Sequence, residues 1–313
     1  MSMRSVRFLI TEQCNANCPT CINKDIRGES FIDLNKFEQL CVFFKENAVP
    51  HIKIMGGEPT LHPFFTEITL IAQKYFERVI IFSNGTCDSL RSFKPRRKDS
   101  INLNFLFSSR WSESFLRQHE NCTHIFEIMV SSKTNVDSVK KEITRIWDIK
   151  PSYCCFSLTL DCTANIFRDR KILTEKMLEI YDYCKNLKSE VIFDHSLPLC
   201  FVYGTRIPIR QRGAFCDTTC ACSVDADCNL FYCNQYPGKK LSLFSNDRII
   251  PFEIIENHLK LQYYKNQVIA LEKICFSCPL YEKNCNGGCY ISSTNIDKED
   301  ILSNTQMPLK SLK

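Results

Sequence analysis

Short apolar runs alternate along this chain with longer stretches in which apolar residues recur every three or four positions. Val6 to Thr11 reads as a strand. Asp33 to Asn47 carries Leu34, Phe37, Leu40, Cys41 and Phe44 at helical spacing, and Ile52-Lys53-Ile54 leads as a strand into Gly56-Gly57. The unit then repeats. The pattern predicts a helix over Leu61 to Phe76 and strands at Val79 to Phe82, Ile101 to Phe107 and Ile125 to Val130. A helix over Val136 to Trp147, a strand at Cys155 to Leu160 and a helix over Thr174 to Leu187 follow. Alternation of this kind predicts an α/β protein with βα units on a parallel sheet, about six of them filling residues 4 to about 195. From Cys216 onward the periodicity fades, cysteines crowd together, and Pro279 and Gly287-Gly288 punctuate them. The expected organisation is a first domain over 1–195, a small subdomain over 196–300 held by metal more than by a core, and a tail over 301–313.

Composition narrows the class. The chain has 313 residues, 44% hydrophobic and 24% charged, enough for one large domain and a smaller one around a real core. Met1-Ser2-Met3-Arg4-Ser5 passes directly into the first strand, and no apolar stretch is long enough for a signal peptide or a membrane span. A cytoplasmic protein is expected. Its twenty cysteines are then hard to explain as disulfides, because the cytosol keeps thiols reduced; metal or cluster ligation explains them better. A net charge of +5 is no nucleic-acid signature. The basic run Lys94-Pro95-Arg96-Arg97-Lys98 reads as a solvated loop, with an acidic peptide partner as the alternative.

Candidate chemistry concentrates in Cys14-Asn15-Ala16-Asn17-Cys18-Pro19-Thr20-Cys21, just after the first strand. A cubane iron-sulfur cluster has four irons and usually takes four thiolates. Three cysteines in this stretch can hold three irons and leave one open to a small ligand. Zinc is the plainer reading, although zinc sites usually pair C-x2-C units with a second pair or with histidines. A disulfide knot is the third.

The spacing resembles the cluster loop of the radical S-adenosylmethionine (SAM) enzymes, and two later motifs match that family in order. Met55-Gly56-Gly57-Glu58-Pro59 follows the second strand, and Ser83-Asn84-Gly85-Thr86 follows the third. Singly each is an ordinary turn; together, after three successive strand-like runs, they carry the resemblance. It implies a partial (β/α)6 TIM-type barrel, open on one side, with its site in the loops at the C-terminal strand ends. It also implies a 4Fe-4S cluster on Cys14, Cys18 and Cys21. SAM would bind the open iron and, on reduction, be cleaved to methionine and a 5′-deoxyadenosyl radical. By the same resemblance Gly56 and Gly57 face the amino group of SAM, Glu58 supports their loop, and Ser83 and Asn84 lie along the cofactor. The glycines are expected to let the backbone approach that ligand. Ser108 and Asn135 are further cofactor-binding candidates that read equally well as turn or cap residues. The family commonly has an aromatic residue where this chain has Thr20. A flavodoxin- or ferredoxin-type electron donor is implied.

Cys216-x5-Cys222, then Cys233, then Cys275-x2-Cys278-x6-Cys285-x3-Cys289 resembles the SPASM extension of radical SAM enzymes that act on peptides. By that resemblance Cys216, Cys222, Cys233 and Cys289 hold the nearer auxiliary 4Fe-4S cluster, and Cys275, Cys278 and Cys285 the farther one. The family pattern has x5 where this chain has x6, and one more cysteine downstream. Cys220 or Cys228 could fill the gap, or the module is a one-cluster twitch arrangement; a zinc ribbon would also suit these spacings. Cys228 stands where the pattern usually has glycine. It is a ligand substitute, a buried small hydrophobe, or a catalytic thiol that returns a hydrogen atom to a substrate radical; Cys162 has the last two readings. His195 beside Asp194 is a proton-transfer pair or a polar strand end, and the remaining cysteines have no ligand-like spacing.

The first expectation is a peptide maturase that forms a carbon–carbon or thioether crosslink. The others are a peptide epimerase, a small-molecule enzyme similar to the molybdenum-cofactor cyclase, and a non-catalytic iron-sulfur carrier. Since the first strand starts within a few residues of Met1, a leader peptide is expected to be read by a separate protein or by the barrel mouth itself.

Overall fold

The computed structural model describes residues 3–19, 21, 23, 27–118, 122–150, 154–161, 169–193, 205, 221–232 and 240–271. Seven strands lie parallel and side by side in chain order: β1 (Ser5–Leu9), β2 (His51–Met55), β3 (Arg78–Ser83), β4 (Ser100–Asn104), β5 (Thr123–Val130), β6 (Cys154–Leu160) and β7 (Glu190–Phe193). The crossovers run through α1 (Leu34–Glu46), α2 (Phe65–Tyr75), the short α3 (Glu113–Arg117), α4 (Val136–Ile149) and α5 (Arg170–Asn186). The alternation expected from the sequence is present, with β7 added beyond the sixth strand.

Why these segments form strands is visible in their two faces. Side chains alternate across a strand, and every residue of one set is buried under helices: Val6 and Phe8, Ile52 and Ile54, Val79 and Ile81, Ile101 and Leu103, Phe126 and Ile128. Phe8 meets Phe37 edge-on at 5.1 Å and Phe44 at 6.0 Å, fixing α1 on the sheet. Each such ring pair adds about 1 kcal/mol beyond the area it buries. The other set is polar over much of its length. Register places Arg7 beside Lys53 and Glu127 beside Ser157 on the concave face, over an apolar patch of Leu9, Met55 and Phe231.

Several elements differ from expectation. The strand expected to reach Phe107 stops at Asn104, whose side chain accepts from Leu106 N at 3.1 Å and turns the chain into a 3-10 segment, Phe105–Arg110. In the cysteine-rich third, β8 (Ala221–Val224) pairs parallel with β1, and β9 (Asn229–Phe231) and β10 (Leu241–Ser242) extend the sheet antiparallel, so that one open sheet runs from β10 to β7. A two-strand ribbon, β11 (Phe244–Ser245) with β12 (Arg248–Ile249), precedes α6 (Phe252–Leu271). This helix stands where faded periodicity predicted little regular structure; its first turns bury Ile255 and Leu259 in the core shared with the barrel. No helix among the described residues is long and apolar enough to cross a membrane.

Candidate cluster and cofactor site at the strand ends

The cysteine stretch is an excursion from the end of β1, pinned at its base. Ile10 N donates to Met55 O at 2.9 Å, continuing the β1–β2 ladder, while Ile32 N donates to Ile10 O at 2.9 Å and Glu12 N to Ser30 O at 3.0 Å. The chain therefore leaves and re-enters the sheet at one point. Thr11 Oγ1 accepts from Gln13 N at 3.0 Å, and Cys21 N donates to Cys18 O at 3.3 Å, so tight turns set the first and last cysteines. All three thiols are half-buried. Burial raises the pKa of Cys14 and of Cys18; the charges of Cys18's two partner thiols raise it further, and Arg27 lowers both. The three sulfurs thus lie within one another's field.

The glycines behave differently from the expectation that they clear space for a ligand. A Cβ on Gly56 would overlap the carbonyl oxygen of Thr11, and one on Gly57 the carbonyl of Gln13. What fills that space is the backbone of the cysteine loop. Gly57 N donates to Thr11 O at 2.8 Å and Glu58 N to Gln13 O at 2.7 Å. Two strand-end loops are clasped main chain to main chain, which only residues without a side chain allow.

Glu58 joins the third loop. It is buried, and its carboxylate accepts from Thr60 N (3.2 Å), Thr60 Oγ1 (2.6 Å), Ser83 Oγ (2.8 Å) and Asn84 N (2.7 Å). Burial raises its pKa against the downward pull of those donors. Its oxygens are committed to β2 and β3, in keeping with a loop-supporting role. Asn84 passes the connection on: its Nδ2 donates to Asn15 Oδ1 at 2.8 Å, and Asn15 Nδ2 donates to Thr86 Oγ1 (3.0 Å) and Cys87 Sγ (3.2 Å). Asn84 O accepts from Trp111 Nε1 at 3.0 Å. Gly85, at φ 70°, turns the chain where a side chain would strike that indole. An open cleft of ≈ 420 Å³ lies outside this contact, between Asn15, Thr86, Cys87 and Trp111.

Of the other candidates, Ser108 is buried, and its carbonyl accepts from Arg145 Nη2 (2.6 Å) and Trp111 N (3.0 Å). Asn135 is the N-cap of α4, its side-chain oxygen taken by Ser138 N at 2.9 Å. Cys222 is fully buried on β8 with its thiol donating to Met3 Sδ at 3.6 Å, and burial pushes it up to about 12. Cys228 lies buried at the β8–β9 turn. Cys216, Cys220, Cys233, Cys275, Cys278, Cys285 and Cys289, with Cys162, His195 and Thr20, lie outside the described residues.

Several site residues had no part in the sequence reading. Asn15 and Thr86 sit inside the quoted motifs, and their place in two loops expected at neighbouring strand ends was the signal that could have found them. Trp111 carried no signal. Asn23, also buried, donates from Nδ2 to Gly56 O at 2.8 Å, and Arg27 Nη1 donates to Asn17 Oδ1 at 3.4 Å. Arg27 Nε, Arg27 Nη2 and Asn23 Oδ1 are buried without a partner.

These observations test whether the residues fit an iron-sulfur cluster and SAM. Three clustered thiols on one pinned loop, beside orphaned buried polar atoms, are the donor set such a group needs. Among the described residues no three Cys, His, Asp or Glu side chains close on a single ion position; a four-iron cluster, which takes its thiolates on separate irons, does not ask for that.

Comparison with known proteins agrees. Residues 8–107 match the Radical SAM superfamily. GTP 3′,8-cyclase of Chlorobaculum tepidum is 31% identical over 83 residues, 26% of this chain and 25% of that protein. The antilisterial bacteriocin subtilosin biosynthesis protein AlbA of Bacillus subtilis is 28% identical over 97 residues, 31% of this chain and 20% of that protein. The match thus spans a quarter or less of these two curated relatives. In fold, the chain is similar to Streptococcus suis SuiB bound to precursor peptide SuiA, with TM-score 0.66 at 14% identity, covering 93% of this chain and 72% of that one. The match to the Radical SAM superfamily falls on residues 8–107, which carry both the cysteine loop and the two motifs clasped to it.

Proposed function

We propose that the chain is a peptide maturase of the radical SAM type that removes a hydrogen atom from a peptide residue and closes a crosslink. The observation that carries the reading is the convergence of three strand-end loops: Gly57 and Glu58 clasp the cysteine loop, and Asn84 ties it to β3. When bound, a 4Fe-4S cluster on Cys14, Cys18 and Cys21 with SAM on its open iron supplies the 5′-deoxyadenosyl radical that takes the hydrogen. The chain's own residues hold the arrangement rigid. Glu58 stays buried with four donors on its carboxylate, so it fixes loop geometry and has no free oxygen to exchange protons with a substrate. The polar concave face bearing Arg7, Lys53 and Glu127 gives a peptide's amides and charges partners below the rim.

A peptide substrate is supported by the fold shared with SuiB, whose structure holds a precursor peptide, and by the sequence relation to AlbA. One or two auxiliary clusters on Cys216, Cys222, Cys233, Cys289 and Cys275, Cys278, Cys285 complete the proposal: after the hydrogen atom is removed, closing the crosslink releases one proton and one electron, and such a cluster would take that electron. The reductant is a flavodoxin- or ferredoxin-type protein, and a leader-binding protein can deliver the peptide. The second reading, a small-molecule enzyme like GTP 3′,8-cyclase, is favoured by the 31% identity over 83 residues to that protein.

The test is anaerobic reconstitution with iron and sulfide, reduction, and chromatography for 5′-deoxyadenosine, first alone and then with candidate peptides or GTP. A crosslinked peptide loses the mass of two hydrogen atoms; an epimerised one keeps its mass and takes up deuterium from heavy water. Reduced protein with a full cluster that leaves SAM intact would sink the proposal.

A further inference from the structure

The excursion that carries the three cysteines also carries an arginine, Arg27, two of whose donor nitrogens have no aligned acceptor. Arg27 lies on its returning arm, directly before Gly28, which packs so closely on the Glu12 carboxylate that a Cβ there would overlap it. The guanidinium reaches back across the loop, and Nη1 donates to Asn17 Oδ1 at 3.4 Å, between Cys14 and Cys18. Nε and Nη2 are buried, yet no acceptor meets either of them, and among the described residues no carboxylate pairs with the charge. Cys21 is the strongest influence on Arg27, as a side-chain hydrogen-bond partner, and the charges of Cys14 and Cys18 act in the same direction. The guanidinium therefore stands beside the thiols, while Nε and Nη2 make no aligned hydrogen bond.

Folded proteins rarely leave two buried donors of one ionised group unpaired. Where they do, a ligand absent from the protein chain is the usual acceptor. The orphan nitrogens lie against thiols that become thiolates when iron binds. We infer that Arg27 is a positioning residue for the cluster: its free N–H groups donate to the sulfur shell around Cys21, and its fixed charge raises the cluster's reduction potential. Adding one electron makes the cluster more negative by one charge, and a nearby cation favours that state. Hydrogen bonds to sulfur act in the same direction, by drawing electron density away from the iron. Arg27 thus makes the first electron transfer easier and leaves the hydrogen-abstraction chemistry to other groups.

This inference rests on residues 14–21 being a cluster loop. The experiment is a redox titration of the reconstituted holoprotein followed by electron paramagnetic resonance, without SAM, reading the signal that changes when SAM is later added. Arg27→Ala should lower the midpoint of that signal by at least a tenfold change in the reduction equilibrium, about 59 mV for one electron, at unchanged iron content. Signals that do not respond to SAM should keep their midpoints. Arg27→Lys, which keeps the charge and loses the planar fork, should fall between, and Arg27→Gln, which keeps donors and loses the charge, should lie nearer to alanine. Should Arg27→Ala fail to hold iron, the Lys and Gln variants give the reading. Equal midpoints at equal iron content overturn the inference and leave the proposed function standing. A shift seen only with SAM present also overturns it, since Arg27 would then serve the cofactor and not the sulfurs. A wild-type protein with no SAM-responsive signal removes the cluster loop itself, and both fall together.

Discussion

Cysteine is used in two opposite ways at the rim and in the interior of this barrel. At the rim, Cys14, Cys18 and Cys21 are half-exposed on a loop that leaves the sheet, near enough to share one field. In the interior, Cys41, Cys122, Cys154 and Cys184 sit in the layer between sheet and helices as small apolar side chains, and Cys155 is buried on the opposite face of β6. Burial pushes Cys122, Cys155 and Cys184 up to about 12 and Cys154 higher still, so none offers a thiolate near neutral pH. The difference teaches that the chemistry of these eight cysteines follows their position: past the C-terminal end of a strand they are ligand candidates, within or at the start of a strand or in its covering helix they are packing.

The largest effect should come from removing a rim thiol. Cys14→Ala, Cys18→Ala or Cys21→Ala should each abolish the SAM-responsive iron signal and 5′-deoxyadenosine formation. Cys184→Ala should leave both intact and lower stability by on the order of 1 kcal/mol through the small void it opens. Iron analysis beside denaturant unfolding separates the two. Cluster loss from Cys184→Ala, or retained SAM cleavage without Cys18, would erase the distinction between rim and interior.

Next is the clasp that holds the rim in place. Gly57→Ala places a methyl group on the Gln13 carbonyl, and the clashing atoms are backbone on both sides. Neither loop can yield cheaply, so a loss of about 1–3 kcal/mol is expected, together with a fall in reconstituted iron. If Gly57→Ala reconstitutes fully, the clasp is dispensable and the cysteine loop is held elsewhere.

Glu58 sharpens the comparison electrostatically, being a buried acid at the rim where the interior keeps neutral thiols. Glu58→Gln replaces an acceptor oxygen with a donor, leaving Asn84 N or the Thr60 and Ser83 hydroxyls unmatched, at about 1–3 kcal/mol. The pH dependence has a definite sign. Burial raises the folded pKa above the unfolded one, so the folded state holds the proton more tightly. Glu58's contribution is therefore full below the unfolded pKa and declines as pH rises through the folded value. Thermal unfolding of wild type and Glu58→Gln across the acidic range checks this. A wild-type advantage that grows with pH would mean the four donors outweigh burial.

Much of this was legible in the sequence because the barrel's signals are local. Val6 to Thr11, Ile52 to Ile54 and Val79 to Phe82 announce strands by apolar run, and the motifs at their ends announce where loops must meet. The reason for Gly56 and Gly57 was not legible, since the atoms that exclude a Cβ belong to Thr11 and Gln13, more than forty residues earlier. Trp111 was hidden for the same reason: its indole finds Asn84 O only after β3 and β4 pair. β8 escaped because a four-residue strand completing a sheet edge beside β1 has no periodicity of its own. Long-range contact, not residue type, was the missing information.

The smallest effect is expected at Cys228, which the sequence offers as a catalytic thiol and the structure groups with the interior. Its backbone lies at φ 62°, a left-handed conformation that glycine adopts without strain. Its thiol belongs to the apolar core and is pushed up to about 11 by burial, with Lys36 lowering it and Asp225, Asp33 and Asp227 raising it. Two of those charges, Asp33 and Lys36, belong to the start of α1, on the helix side of the sheet. The small cavity beside Gly57 is lined from this hairpin by Asp225, Ala226 and Phe231, not by Cys228. Cys228→Ala should therefore keep both SAM cleavage and peptide product. Cys228→Gly should be nearly neutral in stability, because about 1 kcal/mol of backbone strain is relieved as a similar amount of buried contact is lost. Measuring product per 5′-deoxyadenosine decides the matter. If Cys228→Ala cleaves SAM at the wild-type rate yet releases no modified peptide, the thiol returns hydrogen to the substrate, the epimerase reading replaces the crosslinking one, and an interior cysteine has done rim chemistry.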